Sequence, residues 1–132
     1  MGIAVVNQLT ELREDIANAL NEAGIRAVEF NDTKLVPPIA VIIPDDQYIV
    51  TRPGDQFGEL SIGVQVLILG PRATEKVAAT AMDELIVEAV LALNDFDIVS
   101  VTAPGEATLN NVNYFGSIIN IEVQIKLRKE VK

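Results

Sequence analysis

Two long segments of the chain alternate between hydrophobic and polar residues. In Glu59–Leu69, aliphatic residues occupy every second position from Leu60 to Ile68, and Ser117–Leu127 shows the same alternation from Ile119 onward. A period of two predicts β-strands. Each segment would extend roughly 35 Å at about 3.3 Å per residue, whereas a typical strand has about five or six residues. Because these strands are long for a small domain, we expect them to serve assembly as well as folding.

Two other segments show the period of a helix. From Ile3 to Ala23, aliphatic residues form one stripe opposite polar residues, and Gly24 suits a left-handed position at the helix end. A second helix is predicted from Ala73 to Leu93. Its C-terminal half is apolar on nearly every side except at Glu88, which predicts burial on more than one side. Either the first helix and the sheet enclose it, or another subunit covers it.

Shorter strands and two long loops complete the pattern. The strands are predicted at Ile25–Phe30, Ile39–Ile43 and Phe96–Thr102. Pro44 is expected to end the second of them. The loops are Asp45–Gly58, in which Tyr48–Val50 is expected to pair briefly with a neighbour, and Ala103–Asn113. Both loops are rich in the Asp, Asn, Pro and Gly residues that form turns.

This order of elements predicts a single domain that spans residues 1–132. Strands outnumber helices and do not alternate strictly with them. We therefore expect the α+β class, with a mixed, largely antiparallel sheet, two long strands and two helices packed on one face.

The amino-acid composition narrows the possible functions. The chain has no cysteine and no histidine, which removes disulfides, thiolate catalysis, sulfur-ligated metals and the imidazole proton shuttle. No apolar run reaches the roughly 20 residues that cross a bilayer, and the first residues lack the features of a signal peptide. We therefore expect no enzymatic activity, no cofactor and no membrane association.

Charge is unevenly distributed along the chain. The net charge of −9 opposes general binding to DNA, because neutralising phosphates needs an excess of Lys and Arg. Four basic residues nevertheless fall close together at the C-terminal end: Lys126, Arg128, Lys129 and Lys132. This cluster is either a solvated strand end that resists edge-to-edge association or a docking tail for an acidic neighbouring subunit.

Three groups of residues have the composition of chemical sites. Asp45 and Asp46 could bind a divalent metal or divide acid and base roles, but a turn rich in Asp and Pro explains them more simply. Asp95 and Asp97 would share a strand face, as a two-carboxylate site requires, or mark a helix exit with an exposed outer side. The start of the second helix, after Gly70, either offers amides to an anion or forms a turn.

Several short stretches, taken in order, carry a resemblance to a known family. They are Leu20–Ile25, Pro37–Pro44, the loop from Tyr48 to Gly58, Leu67–Gly70, Met82–Leu85 and Tyr114–Gly116. Over the whole chain this order resembles the tail terminator proteins of long-tailed bacteriophages, also called minor tail or tail completion proteins. The resemblance rests on order and texture and not on a single motif.

The resemblance implies a structural protein of the virion tail that is made in the cytoplasm of the bacterial host. Such proteins form a ring, usually of six copies, that caps the tail tube, stops its polymerisation and provides the surface for head joining. The implied partners are further copies of the chain, the tail tube protein and the head–tail connector proteins. DNA would pass through the ring without specific binding.

Two groups of residues are candidates for these contacts. The two long loops are expected to reach the tube and the connector through Asp45, Asp46, Tyr48, Arg52, Asp55, Phe57, Glu106, Asn110, Asn111 and Asn113. The polar face of the long strands is expected to line a lumen or a subunit interface through Gln65, Asn120, Glu122, Gln124 and Lys126.

Two alternatives to the tail terminator stay open. One is another phage connector or assembly factor, or a bacterial interaction module, of similar α+β shape. The other is a small enzyme that uses carboxylates, with Asp45 and Asp46 as the candidate residues. Loss of a measurable activity on replacing both residues with asparagine would favour the enzyme.

Overall fold

Two helices and eight strands form within residues 3–5, 8–29, 38–51, 59–70, 75–109, 112–126 and 129–131, the ranges that the computed structural model describes. In chain order the elements are β1 (Ile3–Val5), α1 (Gln8–Glu22), β2 (Ala27–Glu29), β3 (Ile39–Val50), β4 (Glu59–Leu69), α2 (Glu75–Ala92), β5 (Ile98–Val101), β6 (Gly105–Leu109), β7 (Val112–Lys126) and β8 (Lys129–Val131). The predicted α+β class is confirmed.

Six of the strands form the main sheet, in the order β2–β3–β4–β7–β5, with β6 also paired to β7. β2 and β3 are parallel, and the other pairs in this sheet are antiparallel. The two long alternating segments are the central pair of strands. They are in continuous register from the pair Glu59–Lys126 to the pair Leu69–Gly116. The expectation of a mixed, largely antiparallel sheet is therefore correct.

Both helices pack on the same face of the main sheet, as predicted. The buried cluster between them and the sheet contains Leu12, Ile16 and Leu20 of α1, Met82 and Ala89 of α2, Leu93 just after α2, and Ala40, Ile42, Ile62, Val64, Val66, Ile68, Ile119 and Ile121 of the strands. Each large aliphatic side chain buried in this way contributes roughly 1.5–3 kcal/mol. This layer is what holds the helices on the sheet.

Helix α1 ends as the sequence predicts but begins later. Gly24 has φ of 86°, and the Ile25 amide donates to the Leu20 carbonyl oxygen at 2.9 Å, as in a Schellman motif. The predicted start at Ile3 was wrong. Ile3–Val5 is β1, which pairs antiparallel with β8 in a separate two-stranded sheet. The helical pattern was misleading here because the partner strand lies at the other end of the chain.

Strand β3 does not stop at Pro44. It continues to Val50, with a shift in register against β4 between Pro44 and Ile49. The Ala40 amide donates outward to the Arg26 carbonyl oxygen beside β2, so by alternation the missing N–H of Pro44 also faces the outer edge. A proline is tolerated in that position because it removes no ladder bond. The expected pairing of Tyr48–Val50 with a neighbour is confirmed through β4.

The second predicted loop also contains a strand. Gly105–Leu109 forms β6, which pairs antiparallel with β7 from Gly116 to Val112. The pairing of Leu109 with Val112 leaves two residues between the strands, which is the length of a tight hairpin. The expected loop Ala103–Asn113 was therefore wrong from Gly105 to Leu109 and at Val112 and Asn113, because these residues pair as strands.

Candidate functional site

The face of the main sheet opposite the helices, here called the open face, carries the polar residues of the two long strands. In the register of β4 and β7, Gln65 lies opposite Asn120, Gly63 opposite Glu122, and Ser61 opposite Gln124. Their neighbours Val64 and Ile121 point into the core beneath the helices. Of the predicted polar face, Gln65, Asn120, Glu122 and Gln124 thus lie on one continuous surface, and Lys126 occupies the register position opposite Glu59.

A row of side-chain hydrogen bonds crosses the open face. The Gln65 Nε2 donates to Asn120 Oδ1 at 3.3 Å, and the Asn120 Nδ2 donates to Ser100 Oγ at 3.0 Å. The row links β4, β7 and β5. Hydrogen bonding uses both ends of the Asn120 amide, so this side chain is held in one orientation.

A cleft of about 190 Å³ opens next to this row. Its polar lining includes Asp45 of β3, Ser61 of β4, Ser100 of β5, and Asn120 and Glu122 of β7. The floor is low because Gly63 and Ser61 occupy successive open-face positions of β4 with little or no side chain. The cleft is therefore a product of sequence and register together.

The chemistry of the cleft is mixed, because its lining combines the carboxyl groups of Asp45 and Glu122 with neutral polar and aliphatic residues. Its two carboxylates come from strands on opposite sides of β4. The volume is smaller than the roughly 300–1,000 Å³ of typical small-molecule sites, so the cleft matches a single side chain better than a cofactor. Across the described ranges, no group of three or more carboxylate, imidazole or thiol side chains is placed to hold a metal ion.

Arg13 of α1 fixes the shifted part of β3 and was missed by the sequence analysis. Its guanidinium donates to the Tyr48 hydroxyl, to Glu29 Oε1 at 3.2 Å and to Thr10 Oγ1 at 3.5 Å. The Arg13 side chain is 15% exposed and that of Glu29 is 43% exposed. Tyr48, expected to contact a partner from a loop, is instead part of β3 and is tied to α1. Only correlated substitutions at these two distant positions in related sequences could have indicated this contact.

The other predicted contact residues divide into three groups. Asp45 and Asp46 lie within β3 and not in a loop, because the strand continues past Pro44. Glu106 and Asn113 lie in the β6–β7 hairpin, also within strands, and both are exposed. The remaining five fall outside the described residues: Arg52, Asp55, Phe57, Asn110 and Asn111.

The hairpin and the cleft lie at opposite ends of β7. Asn113 is near the beginning of this strand, whereas Asp45 is level with Ile121 and Glu122 through the pairing of Pro44 with Val64. Nine residues of strand separate Asn113 from Glu122, a distance of roughly 30 Å at about 3.3 Å per residue. The structure therefore places the two groups of predicted contact residues far apart.

Asp95 and Asp97 do not form a two-carboxylate site on a strand. Asp95 lies in the turn after α2 and Asp97 precedes β5, and both are exposed. The Asp97 carbonyl oxygen accepts a hydrogen bond from the Glu122 amide at 3.0 Å. These residues join the helix to the sheet, as the simpler interpretation expects.

Within the part of the chain that the structure describes, one side of helix α2 is left exposed. Val87 and Leu91, one helical turn apart, are 57% and 67% exposed. Helix α1 and the sheet cover the opposite side of α2, where Met82 and Ala89 are fully buried. Of the two explanations for its apolar surface, burial between α1 and the sheet is excluded for these two side chains.

Comparison with known proteins does not extend the assignment beyond the fold. No protein-family model matches the chain, and no curated protein sequence matches it significantly. In the ranges described, neither helix is long and apolar enough to cross a membrane. The fold and the cleft define a small α+β domain with two long central strands and a small cleft of mixed lining on its open face.

Proposed function

We propose that the protein is a structural subunit of a phage tail, which forms a ring on the end of the tail tube, stops tube polymerisation and provides the surface for head joining. In this proposal it acts without catalysis or a cofactor. The observation that carries the proposal is the outer edge of β3. Within the described residues, β2 pairs with β3 only from Ala40 to Ile42, and from Ile43 to Val50 the single strand neighbour is β4.

The opposite side of the sheet is also cut short. β5 pairs with β7 as far as Ile121, and the Glu122 amide bonds to Asp97, whereas β4 continues beside β7 to Lys126. Among the described residues, the long strands therefore extend past their short neighbours on both sides, at the same end of the sheet. Edges of this kind are templates for pairing with another chain.

Edges on opposite sides of a sheet favour a head-to-tail contact between copies. The β3 edge of one copy would meet the β7 edge of the next, which is a heterologous interface that closes into a ring when the rotation allows. Both strands are antiparallel to β4, so they run in the same direction. The junction would therefore be a parallel strand pair, continuing the sheet around the ring.

Two further features support a connecting role. The β6–β7 hairpin and the end of the sheet near Asp45 are roughly 30 Å apart along β7 at about 3.3 Å per residue, so they would face different partners, the tube and the head connector. The net charge of −9 on each copy would keep DNA from adhering to the ring as it passes, because like charges repel. The virion tail, after synthesis in the host cytoplasm, is the location that this function requires.

Native mass in solution tests the ring. Light scattering on the purified chain, alone and with tail tubes, should show a discrete particle near 86 kDa for six copies of 14.3 kDa each, and electron microscopy should show a ring with a central hole. A protein that stays monomeric, does not bind tubes and does not alter tail length would refute the proposal.

A matched pair of variants tests the edge. Ile49→Lys places a charge on the β3 edge, where the side chain is 47% exposed, whereas Val112→Lys places the same charge in the distant hairpin at 40% exposure. Lysine on an edge strand blocks pairing with another chain. Ring formation should therefore be lost in Ile49→Lys and kept in Val112→Lys. Equal behaviour of the two variants would argue against the β3 edge as the interface.

A further inference from the structure

The outer side of helix α2 carries an apolar pair of side chains that no described residue covers. Val87 and Leu91 are 57% and 67% exposed, and Leu91 has the largest exposed fraction among the described large hydrophobic side chains. Met82 and Ala89 of the same helix belong to the buried core. At about 100° per residue, Val87 and Leu91 lie on the opposite side of the helix. No rotation of α2 buries this pair without exposing the core residues, so the pair is available to another molecule.

Carboxylates surround the apolar pair. Asp83 and Glu84 lie four and three residues before Val87, and Glu88 lies three residues before Leu91. Residues at these spacings are neighbours on a helix surface. The three acidic residues are exposed, and within the described ranges none of them forms an ion pair. These five residues, here called the outer patch, are therefore apolar at the centre and negative around it.

The sequence supplies no positive charge to balance the outer patch. Between Lys76 and Lys126 the chain contains no Lys or Arg, whereas seven of its 19 acidic residues fall in this stretch. The last turn of α2 also lacks a basic residue. A helix C-terminus carries a partial negative charge that Lys or Arg would offset. The negative charge at this end of α2 is therefore unbalanced in the isolated chain.

Apolarity and charge together define the partner that fits the outer patch. Two aliphatic side chains one turn apart complement the aliphatic stripe of a second helix. Lys or Arg side chains beside that stripe would be attracted both to the carboxylates and to the C-terminal end of α2. A second copy of this chain fits poorly, because it brings a net charge of −9 and contact between two α2 helices would set carboxylates against carboxylates.

We propose that the outer patch of α2 docks a basic amphipathic helix of another protein. The aliphatic stripe of that helix would pack on Val87 and Leu91, and its Lys or Arg side chains would lie against the three carboxylates. This contact does not depend on the proposed ring. Helix α2 lies on one face of the sheet, whereas the ring junctions use the edges of β3 and β7. The two contacts therefore use different parts of the surface.

Peptide binding tests the outer patch. The probe is a fluorescently labelled peptide of about 20 residues, long enough to form a helix, with leucines on one stripe and lysines beside it. One control peptide has the same composition in scrambled order, and the other has glutamate in place of lysine. In fluorescence anisotropy, the wild-type chain should bind the probe at least about tenfold more tightly than either control. Equal binding of the probe and the scrambled peptide, or no binding of the probe, would overturn the proposal.

Paired variants test the apolar part of the outer patch. Val87→Ser with Leu91→Ser removes the apolar pair and should weaken probe binding at least about tenfold. Val99→Ser with Val112→Ser is the control, because these valines are 62% and 40% exposed on strands of the sheet, and it should leave binding unchanged. All four positions are exposed, so circular dichroism should show a native fold in both variants. If the two variants bind the probe equally well, the outer patch is not the binding surface.

A second pair of variants tests the charge. Glu84→Gln with Glu88→Gln removes two carboxylates of the outer patch. Glu11→Gln with Asp15→Asn removes two exposed carboxylates at the same spacing on α1, so both variants have a net charge of −7 instead of −9. Only the α2 variant should bind the probe more weakly and lose less affinity at about 1 M ionic strength, where the screening length falls to about 3 Å. Equal losses in both variants would assign the attraction to net charge and reject the proposal.

Light scattering separates this proposal from the ring. If the wild type assembles and the variant Val87→Ser with Leu91→Ser does not, a second copy covers the outer patch, and the docking of a basic helix is wrong. If the wild type never assembles but binds the probe through α2, the ring fails and the docking proposal stands.

Discussion

Glycines at the border of β4 and β7 provide a sharp test of how tightly the central strands approach each other. A Cβ atom added to Gly116 would lie 2.7 Å from the carbonyl oxygen of Ile68 and 3.1 Å from Cδ2 of Leu69. The first obstacle is backbone in a continuous strand pair, which cannot move without disturbing the ladder. Gly116→Ala should therefore destabilise the protein by about 2–3 kcal/mol, at the upper end of the usual cost of overpacking.

Two other glycines are matched controls for this substitution. At Gly70 the added methyl group would meet the Sδ and Cγ atoms of Met82, a flexible side chain that can adjust, so Gly70→Ala should cost about 1 kcal/mol or less. At Gly105 nothing lies within 4 Å of the added atom. Gly105→Ala should be neutral or stabilise by up to about 1 kcal/mol, because it restricts the unfolded chain.

Urea unfolding followed by circular dichroism measures these differences. The urea concentration at the unfolding midpoint should be highest for Gly105→Ala, lower for Gly70→Ala and lowest for Gly116→Ala. The dependence of the unfolding free energy on urea concentration should be the same for all three. In thermal unfolding, each kcal/mol corresponds to about 3–4 °C for a chain of this size. A loss of less than about 0.5 kcal/mol for Gly116→Ala, or a larger loss for Gly70→Ala, would refute the reasoning, because the strand backbone would then be more yielding than a core side chain.

Three further outcomes are expected. A double-mutant cycle of Arg13→Met and Tyr48→Phe measures the hydrogen bond between these residues. The coupling energy from urea unfolding should be about 0.5–1.5 kcal/mol, the net value of one partly buried hydrogen bond. A coupling energy of zero would mean that this bond does not hold β3 against α1. Ile16→Ala should lower the free energy of unfolding by about 2–5 kcal/mol because Ile16 is fully buried. Leu91→Ala, at a position that is 67% exposed, should change stability by less than about 0.5 kcal/mol but weaken assembly if another copy covers α2.

Local patterns in the sequence predicted the fold where the cause of the structure is itself local. The alternation in β4 and β7 reports which face of each strand is buried, and Gly24 reports a left-handed helix end, so both predictions were correct. Pro44 was misjudged because its effect depends on which edge of β3 is paired. β1 was misjudged because its partner, β8, lies at the other end of the chain.

The candidate site was predictable only in part for the same reason. The polar residues of β4 and β7 could be assigned to one face from their spacing alone. The cleft could not, because it depends on the register that sets Gly63 against Glu122 and on the shifted segment that brings Asp45 onto the open face. Arg13 and Tyr48 are 35 residues apart in sequence, and neither residue type predicts the other as its partner.

The small sheet of β1 and β8 has a consequence for exchange between molecules. It consists of three residue pairs and is separate from the six-stranded sheet. A two-stranded sheet of this size is marginally stable on its own. Moving β8 from its own β1 to that of a neighbouring copy would break these pairs and re-form the same pairs between chains, leaving the core untouched. The pairing of β1 with β8 should therefore open more easily than the main sheet. A mixture of labelled and unlabelled protein should exchange β8 strands between molecules long before any molecule unfolds.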